Sequence, residues 1–162
     1  FVLLSTIMIN FYDMSASASD SIGSGQDGIF LTTLTTSYIE MAQGMAFDSI
    51  TDTMHVAVAN AMSLTSPSLL GPEAGEDSMA LFNDFDDFDG YTLEREAGTS
   101  NRRYRTRFTV NYVDATDLEK ISSARTFVKR LDMKTWRTFP VAKEGRVDTL
   151  NASFVMGYFH FD

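Results

Sequence analysis

The chain has no cysteine, and its histidines are His55 and His160 alone. Without thiols there is no disulfide framework, no thiolate nucleophile and no cysteine-based zinc site, and two imidazoles are too few for a histidine-rich centre. No phosphate-binding loop or nucleophile elbow appears. The glycines from Gly23 to Gly28 follow no expected strand and carry no lysine. No acidic pair is singled out for acid and base work. The chain therefore reads as a non-enzyme without a resident cofactor, and His55 reads as a structural residue.

Basic side chains are missing from the whole of residues 1–94, which hold 14 of the 22 acids, while all 13 lysines and arginines lie at Arg95 or beyond. The two parts carry formal charges of −14 and +5 within a chain of net charge −9. Net acidity argues against nucleic acid as a partner, because phosphate binding needs clustered cations. The asymmetry leaves two arrangements open: the acidic part folds against the basic part of the same chain, or it meets the basic part of a neighbouring copy.

What is present is enough for one ordered domain: 162 residues, 44% of them hydrophobic. The first twelve residues, Phe1 to Tyr12, are almost wholly apolar until Asp13 interrupts them. A membrane-spanning helix needs about 20 such residues, so the run is short for a span. Starting at Phe1 without methionine, it reads as a processed terminus whose apolar side chains are buried either in the chain's own core or against other copies.

Residues 15–28 are small and polar, with three glycines near the end, and read as a melted linker. From Ile29, apolar residues at Leu31, Leu34, Tyr38, Met41 and Met45 recur at helical spacing, with Asp27 available as a cap; this predicts an amphipathic helix over about 29–49. Residues 51–79 read as irregular, broken by Pro67, Gly71, Pro72 and Gly75, with at most a short strand at 55–61. Beyond Arg102, alternation takes over. Arg103, Arg105 and Arg107 alternate with Tyr104, Thr106, Phe108 and Val110, the pattern of a strand with one wet face; residues 127–136 and 150–161 supply two further strands. Three strands joined by short turns predict an antiparallel meander within 102–161, covered by the helix. The expected fold is thus α+β: an assembly segment and linker over 1–28, then a globular domain over 29–162.

Two features invite partners. The arginine ladder Arg103, Arg105 and Arg107 reads as a solvated face or as the receiver of an acidic neighbour from another subunit. The run Asn83 to Tyr91 places Asp84, Asp86, Asp87 and Asp89 within six residues, a calcium candidate or a turn in which aspartates cap backbone amides while Phe85 and Phe88 anchor it. It is not an EF-hand, because counting back from Gly90 puts Phe85 at the first ligand position.

In order, these features resemble a type IV pilin-like protein: a chain beginning at phenylalanine, an apolar segment, a melted stretch, a helix and an antiparallel sheet. Glu40 to Asp48 at the helix end, the turn Leu70-Gly71-Pro72-Glu73 and the loop Asp86-Asp87-Phe88-Asp89-Gly90-Tyr91 are similar to minor pilins of the mannose-sensitive haemagglutinin type. The resemblance implies an extracellular structural subunit held in the inner membrane before assembly. It also implies cutting by a prepilin peptidase, N-methylation of Phe1, and self-assembly into a helical homopolymer by the pilus machinery. Phe1, Val2, Leu3, Leu4, Ile7, Met8, Ile9 and Phe11 would make the filament core. Ser5 stands where the family usually has glutamate. The alternatives are a pseudopilin or minor pilin of a secretion or uptake machine, and a membrane-anchored calcium- or carbohydrate-binding module.

Overall fold

A computed structural model of the protein describes residues 25–54, 56–98, 101–141 and 149–158. The expected assembly residues from Phe1 to Phe11, most of the expected linker, and both histidines lie outside the described residues.

Helix α1 covers residues 25–43. Its buried positions are Asp27, Leu31, Thr35, Tyr38 and Ala42, spaced three or four apart, so a single stripe faces inward. Met41, expected on that stripe, falls one position off it and is 39% exposed, while Ala42 takes the inner place. The helix begins earlier than expected. Residues 25–28 are helical despite two glycines, each costing about 1 kcal/mol of helix propensity. The offset is tertiary, since Asp27 bonds Arg102 and Arg137 at 2.9 and 2.6 Å and accepts from the Tyr104 hydroxyl at 2.5 Å. The helix also ends earlier, before Gly44. Asp48 then starts a separate short helix, α2 (Ser49–Thr53), with a capping box to Thr51. In place of the short strand considered at 55–61, residues Val58–Ser63 form 3-10 turns that meet at a kink at Asn60.

Five strands follow: β1 (Thr92–Glu96), β2 (Arg103–Asp114), β3 (Asp117–Ile121), β4 (Val128–Phe139) and β5 (Thr149–Gly157). They form one antiparallel sheet in the order β1-β2-β4-β5, with β3 folded back on the end of β2. The fold is therefore α+β, a helix packed on an antiparallel sheet. The three expected strands are β2, β4 and β5. The two extra ones, β1 and β3, are five residues each, almost wholly exposed, and carry no apolar alternation that a sequence pattern could register.

Along β2 the inward parity is Tyr104, Thr106, Phe108, Val110 and Tyr112, and register sets Thr106, Phe108, Val110 and Tyr112 opposite Thr135, Met133, Leu131 and Lys129 of β4. The paired Thr106 and Thr135 hydroxyls bond each other at 2.9 Å, so the polar pair in this inner layer is satisfied. Phe108, Val110, Leu131 and Met133 join Tyr38 and Ala42 of α1, together with Phe82 just before the acidic run and Phe85 and Phe88 within it, in the main core. A second cluster of Phe47, Val56, Leu64 and Tyr112 lies beside it.

Candidate functional site

The acidic run folds as a 3-10 turn, Phe85–Phe88, whose amide groups are met by its own aspartates. Asp84 Oδ1 accepts from the Asp86 amide at 2.9 Å, and Asp87 Oδ2 accepts from the amides of Asn83 and Asp84 at 2.8 and 3.1 Å. Phe85 and Phe88 are fully buried, and Gly90 turns the chain at a φ of 71° that favours glycine. The expected turn is present, but it is not solvated: Asp84, Asp86 and Asp87 are all inside the protein.

The four aspartates of the run go to three different places. Asp89 Oδ1 accepts from the Val110 amide at 2.7 Å and ties the loop to β2. Asp86 bonds the ammonium of Lys129, which also lies 3.0 Å from Asp48 Oδ2 and 2.8 Å from the Phe47 carbonyl. The same ammonium stands over the rings of Phe47 and Tyr112, at 4.6 and 5.2 Å from their centroids. Asp84 and Asp87 instead meet Glu73, and the three residues offer carboxylate oxygens that lie within 4.8 Å of one another.

Glu73 reaches this place because of Gly71. Gly71 has a φ of 123°, and a Cβ there would stand 3.3 Å from the Asp89 carbonyl oxygen, so the loop carrying Glu73 lies close against the acidic turn. Glu76 fastens it further, with one oxygen accepting from the Glu73 amide at 2.9 Å and the other from the Asn83 side chain.

Crowding of like charges and loss of water raise the carboxyl pKa values here. Burial, then the charges of Asp86 and Asp87, push Asp84 up to about 8 despite Lys129. Partial burial and the neighbouring Glu76 and Asp87 push Glu73 up to about 7. Burial raises Asp86 against the pull of Lys129, and also raises Asp87 against its two amide donors. Asp84 Oδ2 and Asp87 Oδ1 are buried and have no hydrogen-bond partner.

The arginine ladder lies on the outer face of β2. Arg105 pairs with Glu94 of β1 at 2.8 Å and Arg103 reaches the same carboxylate at 3.6 Å, while Arg107 is exposed beside them. Together with Asp27, Asp48 and Asp86, Glu94 shows the acidic part of the chain bonded to the basic part of the same chain. Sequence reasoning missed Glu73, Asp48 and Lys129. Lys129 had a signal, since it shares the parity of Leu131 and Met133 on β4 and so points inward with them.

The chain matches no protein-family model, no curated protein and no solved structure. Among the described residues, no helix is long and apolar enough to cross a membrane.

Proposed function

We propose that the chain is a structural subunit of an extracellular type IV pilus-like filament, assembled through the apolar residues Phe1, Val2, Leu3, Leu4, Ile7, Met8, Ile9 and Phe11. The observation that carries this reading is the order in which the parts are joined. An apolar run precedes a helix whose inner stripe packs on an antiparallel sheet and whose opposite face, with Gly28, Ile29, Thr32 and Thr36, is exposed. Gly28, Thr32 and Thr36 are small and Ile29 is an exposed apolar side chain, which suits the approach of a second helix.

The physics of association favours the same reading. A twelve-residue apolar run is costly to leave in water, and identical copies related by a screw operation bury it along an open polymer. Each buried leucine, isoleucine or phenylalanine contributes about 1.5–3 kcal/mol before entropy. The partners on this reading are further copies of the chain, a prepilin peptidase and the inner-membrane assembly machinery, and no catalysis is involved.

Electron microscopy of material sheared from expressing cells, with mass spectrometry of the subunit, tests the proposal. Ordered filaments of this chain are expected, and Leu4→Asp should abolish them while the sheet domain stays folded by circular dichroism. A soluble monomer, or filaments unaffected by Leu4→Asp, would sink it. Short assemblies confined to the envelope would move the chain to the pseudopilins of a secretion machine.

A further inference from the structure

We propose that Glu73, Asp84 and Asp87 bind a hard divalent cation of the size of calcium. Their oxygens lie within 4.8 Å of one another, close enough that small side-chain adjustments bring all three to the 2.3–2.6 Å of a calcium–oxygen contact.

A cluster of acids alone would not carry this. The second observation is that Asp84 Oδ2 and Asp87 Oδ1, in residues with 0% exposure, accept no hydrogen bond. The other oxygen of each is committed to backbone amides, which hold both carboxylates in place and leave one oxygen apiece for an ion. A buried oxygen without a donor is costly, and a cation removes that cost for both at once.

Charge count points the same way. Asp48, Asp84, Asp86 and Asp87 are all buried in this region, and among the described residues Lys129 is the one buried ammonium. Lys129 pairs with Asp48 and Asp86, so its charge is shared between two carboxylates outside the Glu73, Asp84 and Asp87 cluster. When these carboxylates are ionised, an ion between Asp84, Asp87 and Glu73 supplies the balancing charge.

The donor set selects the type of ion. All three ligands are carboxylates, with no sulfur or imidazole among them, which suits a hard cation. Glu73 is exposed, so the ion has a route in from solvent and water can fill the remaining positions. Calcium accepts such irregular sets, whereas magnesium demands near-octahedral geometry at shorter distances. The inference is independent of filament assembly.

The test uses the full chain in detergent, stripped with a chelator and then titrated with calcium chloride by calorimetry, with thermal unfolding followed in parallel. Saturable binding of one ion is expected with a Kd of about 10⁻⁵ to 10⁻³ M and a higher Tm in calcium. Glu73→Gln alters an exposed side chain, and Asp84→Asn keeps the oxygen that caps the Asp86 amide; each should weaken binding by about tenfold or more. Asp52→Asn, on the exposed side of α2, should bind as the parent does. Absence of heat and of any Tm change at about 10 mM calcium overturns the proposal, as does unchanged affinity in Glu73→Gln, which stands as the deciding variant if Asp84→Asn does not fold.

Discussion

Lys129 stands directly opposite Tyr112 in the β2–β4 register, and its ammonium reaches across the core to Asp48 Oδ2 at 3.0 Å. The strand ladder thus aims a lysine at the two segments that carry Asp48 and Asp86. Asp48 caps α2 and accepts from the Thr65 amide at 2.9 Å, while Asp86 belongs to the acidic turn. One buried cation therefore holds together the end of the helical segment, the acidic turn and the sheet.

Lys129→Met should destabilise the protein by about 3–5 kcal/mol, because two buried carboxylates lose the charge they share. Adding Asp86→Asn to that variant should recover part of the loss by removing one of the stranded charges. Urea unfolding of the two single variants and the double variant gives the coupling. Strict additivity would show that the ion pair is not the organising contact.

Asp27→Asn should cost about 1.5–3 kcal/mol, the range for hydrogen bonds to charged groups. The effect should be local as well as global. Without the carboxylate at Arg102, Tyr104 and Arg137, the glycine-containing first turn of α1 loses what offsets its poor propensity. Amide exchange over residues 28–31 should therefore quicken more than exchange over residues 38–42. Equal acceleration at both ends would mean that Asp27 does not anchor the turn.

The helix, β4 and the inner parity of β2 were legible because each repeats a period that burial enforces over ten or more residues. The early start of α1 was not, because it depends on Asp27 meeting side chains more than 70 residues away. The acidic run was legible as a turn through Asp84, Phe85, Phe88 and Gly90. Its division of labour was hidden, since nothing local distinguishes Asp86, which finds Lys129, from Asp87, which finds Glu73. The turn Leu70-Gly71-Pro72-Glu73 and the acidic run stood out separately in the sequence; only the fold shows them in contact.

Acidification should stabilise the metal-free protein through Asp84 and Glu73. Both carboxyls have folded-state pKa values above their ordinary ones, about 8 and about 7, so the folded state binds these protons more tightly than the unfolded chain. Their contribution is fully present below about pH 4 and is lost as pH rises through about 7 to 8. In chelator, this contribution lowers the Tm from about pH 5 to about pH 8, and Asp84→Asn should flatten the slope more than Glu73→Gln, whose exposed group is screened by water. A slope identical in parent and Asp84→Asn would show that this carboxyl does not titrate in the expected window.

Gly71→Ala separates the placement of Glu73 from its chemistry. At a φ of 123° an alanine is strained, and its Cβ would press on the Asp89 carbonyl oxygen from 3.3 Å. The backbone term alone is about 1–3 kcal/mol, and relief comes most readily by moving the loop away from the acidic turn. That motion carries Glu73 off Asp84 and Asp87 while leaving every carboxylate in the chain. The variant should therefore stay folded with a lower Tm and bind calcium more weakly than the parent, although no ligand has been removed. Calorimetry beside thermal unfolding distinguishes the two effects: a lower Tm with unchanged calcium affinity would mean that the close approach of Gly71 to Asp89 supports the fold without positioning Glu73.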